Sequence, residues 1–194
     1  MMRAKTSEGS VGVLGNSGVL DFVVAAARYC ALVEPTTTPI WTRETLEECR
    51  QVLADLYADA LRLPTWPVDA FGETTGGFVT EEAYEAVRQR LVGALGSYDY
   101  FLDAEEEAMK YSETPIGVSS AELLADLYQV LGNFTWVMRG GSERAMYQAV
   151  AECRYSMEER WGELLLTVLR QLHRLCLDPL FELQSGDGGG EDDR

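Results

Sequence analysis

Between Ser142 and Asp178 the apolar residues Met146, Val150, Cys153, Met157, Trp161, Leu164, Val168, Leu172 and Leu175 recur three or four positions apart without a break. That spacing keeps one stripe on one face of an α-helix, and a strand of period two does not share it. As a single helix it spans roughly 50 Å at about 1.5 Å per residue, long enough to lie along a whole bundle. A stripe of that length must be covered by other helices, so the rest of the chain is read for them. Gly162 is the weak point of this helix, or a place where another backbone comes close.

Four further helices carry the same period. Asn16 or Ser17 caps the first, which is apolar nearly all round, reads as a central helix and ends before Pro35. The second starts at Thr42 and stops at Pro64, with Leu46, Cys49, Leu53, Leu56, Ala60 and Leu63 in one stripe. Thr80 with Glu81 and Glu82 opens the third, with Tyr84, Val87, Leu91 and Leu95 inward and Gly96 at its end. Ser119 and Glu122 have capping-box spacing for the fourth, striped by Leu123, Leu127, Leu131, Phe134 and Met138. Gly140 and Gly141 close it, and Ser142 caps the fifth. The one ambiguous strand-like stretch is Tyr98 to Leu102.

The string LADLY occurs twice, at Leu53–Tyr57 and Leu124–Tyr128. A duplication would extend the identity outward, but Ala58 meets Gln129, Asp59 meets Val130 and Leu61 meets Gly132. Two helices have reached the same solution, with leucines inward and the aspartates off that face.

The chain has 194 residues, 46% of them hydrophobic, which suits one globular domain. Its 16 Lys and Arg stand against 32 Asp and Glu, a formal charge of −16. Such a surface repels polyanions, which argues against nucleic acid and anionic membranes as partners. A secretory signal is not read at the N-terminus, because Glu8, Asn16 and Asp21 interrupt any apolar region. Val19 to Val33 is too short and too charged for a membrane span. Cys30, Cys49, Cys153 and Cys176 form no CxxC and read as small buried hydrophobes in a reducing compartment. A cytoplasmic location is expected.

Catalytic and metal motifs are not found. Asp55 with Asp59, and Glu122 with Asp126, are carboxylate pairs sharing a helix face. A di-metal bundle site also needs Glu-x-x-His on two helices, whereas the single histidine, His173, follows Arg170 at that spacing. Neither G-x-S-x-G nor a P-loop is present; the glycines of ETTGGFVTEE lack the P-loop lysine. No enzyme activity, metal or cofactor is expected.

Two long connections remain. SYDYFLDAEEEAMKYSETPIGVSS, between the third and fourth helices, sets Tyr98, Tyr100, Phe101 and Tyr111 among acidic residues and includes a short helix around Ala104 to Tyr111. Long connections tend to be functional, disordered or structured; surface aromatics favour interfaces, and the alternative reading is that these aromatics pin the connection to the core. PTWPVDAFGETTGG, from Pro64, carries Trp66 and Phe71.

The segments YDYFLDA, then YSETPIGVSSAELLADLYQVLGNF, then AECRYSMEERWGELLLTVLRQLHRL resemble a bacterial family known as domain of unknown function 5063. The correspondence rests on Ser120, Glu122, Leu124 to Gln129, Trp161, Gly162 and Leu169 to His173. It implies an all-helical protein and supplies no catalytic residues.

The expected architecture is an all-α, single-domain bundle of about five main helices with two long connections. A flexible N-terminus covers residues 1–14, the helical domain 15–183, and a disordered acidic, glycine-rich tail 184–194. The expected function is a non-enzymatic module that engages another protein through Tyr98, Tyr100, Phe101 and Tyr111. The alternative is a pocket for a small molecule or divalent cation at Asp126, Tyr128, Arg154 and Trp161. Nothing in the sequence specifies an oligomeric state.

Overall fold

The computed structural model describes residues 12–34, 41–69, 72, 75–103 and 116–179. They form an all-α bundle: α1 (Ser17–Val33), α2 (Arg43–Arg62), α3 (Glu81–Leu95), α4 (Ser120–Gly140), and a last helical run made of α5 (Glu143–Ser156) and α6 (Gly162–Leu177). Between α3 and α4 lies a two-stranded antiparallel sheet, β1 (Tyr100–Asp103) with β2 (Ile116–Ser119). The expected short helix at 104–111, Phe71, and the 184–194 tail lie outside the described residues. Val13, assigned from sequence to the flexible N-terminus, is buried in a 3-10 turn before α1.

Local chemistry starts each helix as the sequence implies. Asn16, Thr42, Thr80, Ser119 and Ser142 each accept a backbone N–H of the first turn. A reciprocal capping box forms on α2, between Thr42 and Thr45. At α4 only half of the expected box is present, the Ser119 hydroxyl accepting the Glu122 N–H.

The core is one cluster. Leu46, Cys49, Leu53, Leu56 and Ala60 of α2 are fully buried, as are Val87 and Leu91 of α3. Phe22 meets Phe134 edge-on at 5.1 Å and lies against Trp161 at 6.2 Å, tying α1, α4 and the last helical run together. The helix with most neighbours is α4, which packs on α1, α3, α5 and α6. The expectation of a central α1 is thus corrected: Leu20 and Val24 on its outer side are exposed. In the repeated LADLY, all four leucines are buried, while Asp55 and Asp126 are only partly so.

Helix C-termini leave carbonyls without partners, and this acidic chain covers three of those ends with arginines. Arg90 donates to the Glu34 carbonyl at the end of α1. Arg154 donates to the Ala60 carbonyl near the end of α2 at 2.8 Å. Arg43 donates to the Cys176 and Asp178 carbonyls after α6, at 2.8 and 3.1 Å.

The last run is not one regular α-helix. Residues Met157–Trp161 form a π-helical turn with helical dihedrals on either side, so the axis continues while one turn widens. The Gly162 N–H donates to the Met157 carbonyl five residues back. A Cβ at position 162 would stand 2.5 Å from that oxygen, so glycine is required by the helix itself and not by another backbone. The extra residue also shifts the stripe: Leu165 is fully buried where the sequence places Leu164. The Trp161 indole reaches back and donates to the Cys153 carbonyl and the Ser156 hydroxyl, both at 3.1 Å.

Gly162→Ala is therefore expected to cost about 1–3 kcal/mol of folding stability in urea denaturation. Gly93→Ala, on the open face of α3 with no atom within 4 Å of its added Cβ, should be neutral or stabilise by up to about 1 kcal/mol.

Candidate functional site

Successive side chains of an extended strand point to opposite faces, and a half-buried strand normally turns its apolar side inward. In β1 this order is reversed, and the residue before it, Asp99, is buried as well. Asp99 and Asp103 are 1% and 4% exposed, while Tyr100 and Leu102 are 72% and 67% exposed. Phe101, between them, is half-buried.

Burying a carboxylate is costly unless hydrogen bonds replace its water. Asp99 finds them at the N-terminus of α4. Its carboxylate accepts the Ser119 hydroxyl at 2.9 Å and the Ala121 N–H at 2.7 Å, and its carbonyl accepts the Ser120 N–H at 2.9 Å. Negative charge is favoured there by the helix dipole, and Asp99 adds to that of Glu122 in the first turn. Asp103 bonds Arg170 of α6 at 2.8 Å. These anchors hold the register Tyr100↔Ser119, Phe101↔Val118, Leu102↔Gly117, Asp103↔Ile116. A slip of one residue would expose the Asp103 carboxylate and bury Tyr100 and Leu102.

Behind the hairpin, an open cleft of about 530 Å³ runs between Asp103 and Val118 on one side and Arg160, Glu163, Leu166 and Arg170 on the other. The π turn forms part of its wall, and Leu166 is 44% exposed beside it.

Tyr98, Tyr100 and Phe101 thus fall in one place, but only Tyr100 stands fully outward; Tyr98 is packed on the core. Tyr111 lies outside the described residues. Leu102, which the sequence reading passed over, completes the exposed pair; its signal was the alternation DYFLD, in which acids occupy one parity.

The alternative pocket residues bond to different neighbours. The Tyr84 hydroxyl donates to Asp126 at 2.9 Å, between α3 and α4. The Tyr128 hydroxyl bonds Glu34 at 3.2 Å, and burial together with that carboxylate pushes its phenol up to about 12. Arg154 caps α2 and pairs with Glu158 at 2.7 Å. Trp161 is buried against Phe22. Among the described residues, no group of three or more His, Cys, Asp or Glu is placed to hold a metal ion.

All four cysteines are free and buried. Burial pushes the Cys30 thiol up to about 12, aided by Glu34, and raises Cys49, Cys153 and Cys176 for the same leading reason. Thiols held protonated in this way are poor nucleophiles and poor metal ligands. No described helix is long and apolar enough to cross a membrane.

Arg170→Ala should lower stability by about 1–3 kcal/mol, since it removes a guanidinium from a buried carboxylate. In hydrogen exchange, the amides of Phe101 to Asp103 and of Val118 should open faster, while those of α1 stay unchanged.

Residues 16–178 match the model of a family described as "Domain of unknown function (DUF5063)". Among solved structures, the chain is similar to protein BF1032 from Bacteroides fragilis, a structural genomics target. The TM-score is 0.72 at 29% sequence identity, over 88% of this chain and 99% of that one. A comparison with curated proteins gives no match.

Proposed function

The chain belongs to the DUF5063 family, and we propose that its fold serves as a non-enzymatic, cytoplasmic interaction module whose docking face is the outer side of the β1–β2 hairpin. One observation carries this reading: Asp99, just before β1, and Asp103, at its end, are buried while Tyr100 and Leu102 between them face solvent. A strand with a free outer face would gain stability from the opposite arrangement, because exposed large apolar groups and buried charges are each unfavourable. The cost is recovered when a partner covers Tyr100 and Leu102.

The partner's chemistry follows from the charge of the whole chain, which is −16. A protein surface that carries an apolar centre and basic groups complements an exposed apolar pair on so acidic a chain. Tyrosine is favoured at such centres because it supplies area and a hydroxyl at small entropic cost.

A photo-crosslinking amino acid at position 100 should, in the native host, yield one dominant adduct to a basic protein. The same amino acid at exposed Gln51 of α2 should not. Adding Leu102→Ser should abolish the adduct while leaving the thermal midpoint within a few degrees, as expected of an exposed site. An adduct pattern identical at positions 51 and 100, or one indifferent to Leu102→Ser, would overturn the proposal.

A further inference from the structure

In an antiparallel ladder, residues that bond the neighbouring strand alternate with residues whose backbone groups point the other way. The Ser120 N–H donates to the Asp99 carbonyl at 2.9 Å, which makes Asp99 and Ser120 a bonded pair. By the register of the sheet, Phe101 with Val118 and Asp103 with Ile116 are the next bonded pairs. The N–H and C=O groups of Tyr100 and Leu102 therefore point out from the far edge of β1. Among the described residues, no backbone group bonds them there. The same two residues are 72% and 67% exposed, so the edge and its side chains are open together. An unpaired edge of this kind is a template for a further strand.

We infer that, with the hairpin read as the docking face, β1 receives an extended segment of the partner protein as a third strand, one whose residues alternate between apolar and cationic. Strand addition of this kind takes its affinity from main-chain hydrogen bonds and its specificity from alternate side chains.

The side chains choose the edge and the pattern. Facing neighbours on adjacent strands lie about 5 Å apart, so outward residues of a strand beside β1 fall against Tyr100 and Leu102. Beside β2 they would meet only Gly117 and Ser119, and Ser119 is buried and bonded to Asp99. Apolar outward residues beside β1 thus cover the exposed pair. Inward residues fall beside Phe101 and Asp103, at the cleft of about 530 Å³. There Arg170 is bonded to Asp103, and the other charged groups of the lining are Glu159, Glu163 and Arg160. Two carboxylates against one guanidinium, on a chain of charge −16, favour a cationic residue. Val118, Leu123 and Leu164 offer the aliphatic stem of a lysine or arginine an apolar path. The same charge disfavours a second copy of this chain as the occupant.

The test uses the intact chain and the peptide acetyl-KVKVKVK-amide, with acetyl-EVEVEVE-amide as its charge-reversed form. The lysine peptide should bind saturably at micromolar to millimolar concentration, and the glutamate peptide should not bind. At saturation, hydrogen exchange at the Tyr100 and Leu102 amides should slow by about tenfold or more, while that of Phe101, already bonded to β2, changes by less than about twofold. Leucic acid incorporated in place of Leu102 keeps the side chain and replaces one edge N–H by an ester oxygen. It should weaken the lysine peptide by about fivefold. Unchanged exchange at Tyr100 and Leu102, equal binding of the two peptides, or full affinity in the ester variant would each overturn strand addition. Those outcomes leave the crosslink from position 100 in the host untouched, whereas absence of that crosslink removes the docking face and strand addition with it.

Discussion

Two buried aspartates set the terms for the functional end of this molecule. Asp99, in the turn that leads into β1, and Asp103, at the end of β1, are both buried, and Asp103 sits on the strand face where an apolar residue would ordinarily lie. The fold accommodates them because two helices offer compensation at the required places: the N-terminus of α4 for Asp99, and Arg170 of α6 for Asp103. The outward position of Tyr100 and Leu102 follows from strand alternation once Asp103 is fixed. The hairpin therefore couples the central helix of the bundle, the last helix and an exposed aromatic and aliphatic pair in a single arrangement.

The rest of the bundle shows how an acidic chain stabilises its helices. Three of its arginines are placed where backbone carbonyls are left over, with Arg90, Arg154 and Arg43 at the ends of α1, α2 and α6. These contacts satisfy carbonyls and oppose the negative end of each helix dipole together. The π turn is a comparable local solution. It places the Trp161 indole where Cys153 and Ser156 accept it, and it admits only glycine at position 162.

Much of this was legible in the sequence, for physical reasons that differ by element. The stripe Leu46, Cys49, Leu53, Leu56, Ala60 could be read because a single helix face meets the core and periodicity records it. Thr42, Thr80 and Ser142 could be read because capping is local. The division of the last helix could not: a π turn keeps apolar residues at helical spacing on both sides, and only the slip from Leu164 to Leu165 betrays it. Strand β2 was invisible because four residues with a glycine carry no period of their own, and they pair only through the register set by Asp99 and Asp103. The four residues grouped from sequence as a pocket share helix faces turned to different neighbours, which linear spacing does not reveal. Arg154 alone among them borders a slot between the connection after α2 and the end of α5.

The most direct test of the inside-out hairpin as a docking face compares its accessibility in living cells with that of the purified chain. Cysteines substituted singly for Tyr100, Phe101, Leu102 and Gln51 would be labelled with N-ethylmaleimide, the four native thiols being buried. In the purified protein, positions 100, 102 and 51 should react quickly and 101 slowly. In cells, 100 and 102 should become protected while 51 remains reactive. Equal reactivity of positions 100 and 102 in both settings would contradict the account, since it would mean that the face built at the expense of two buried carboxylates is never covered.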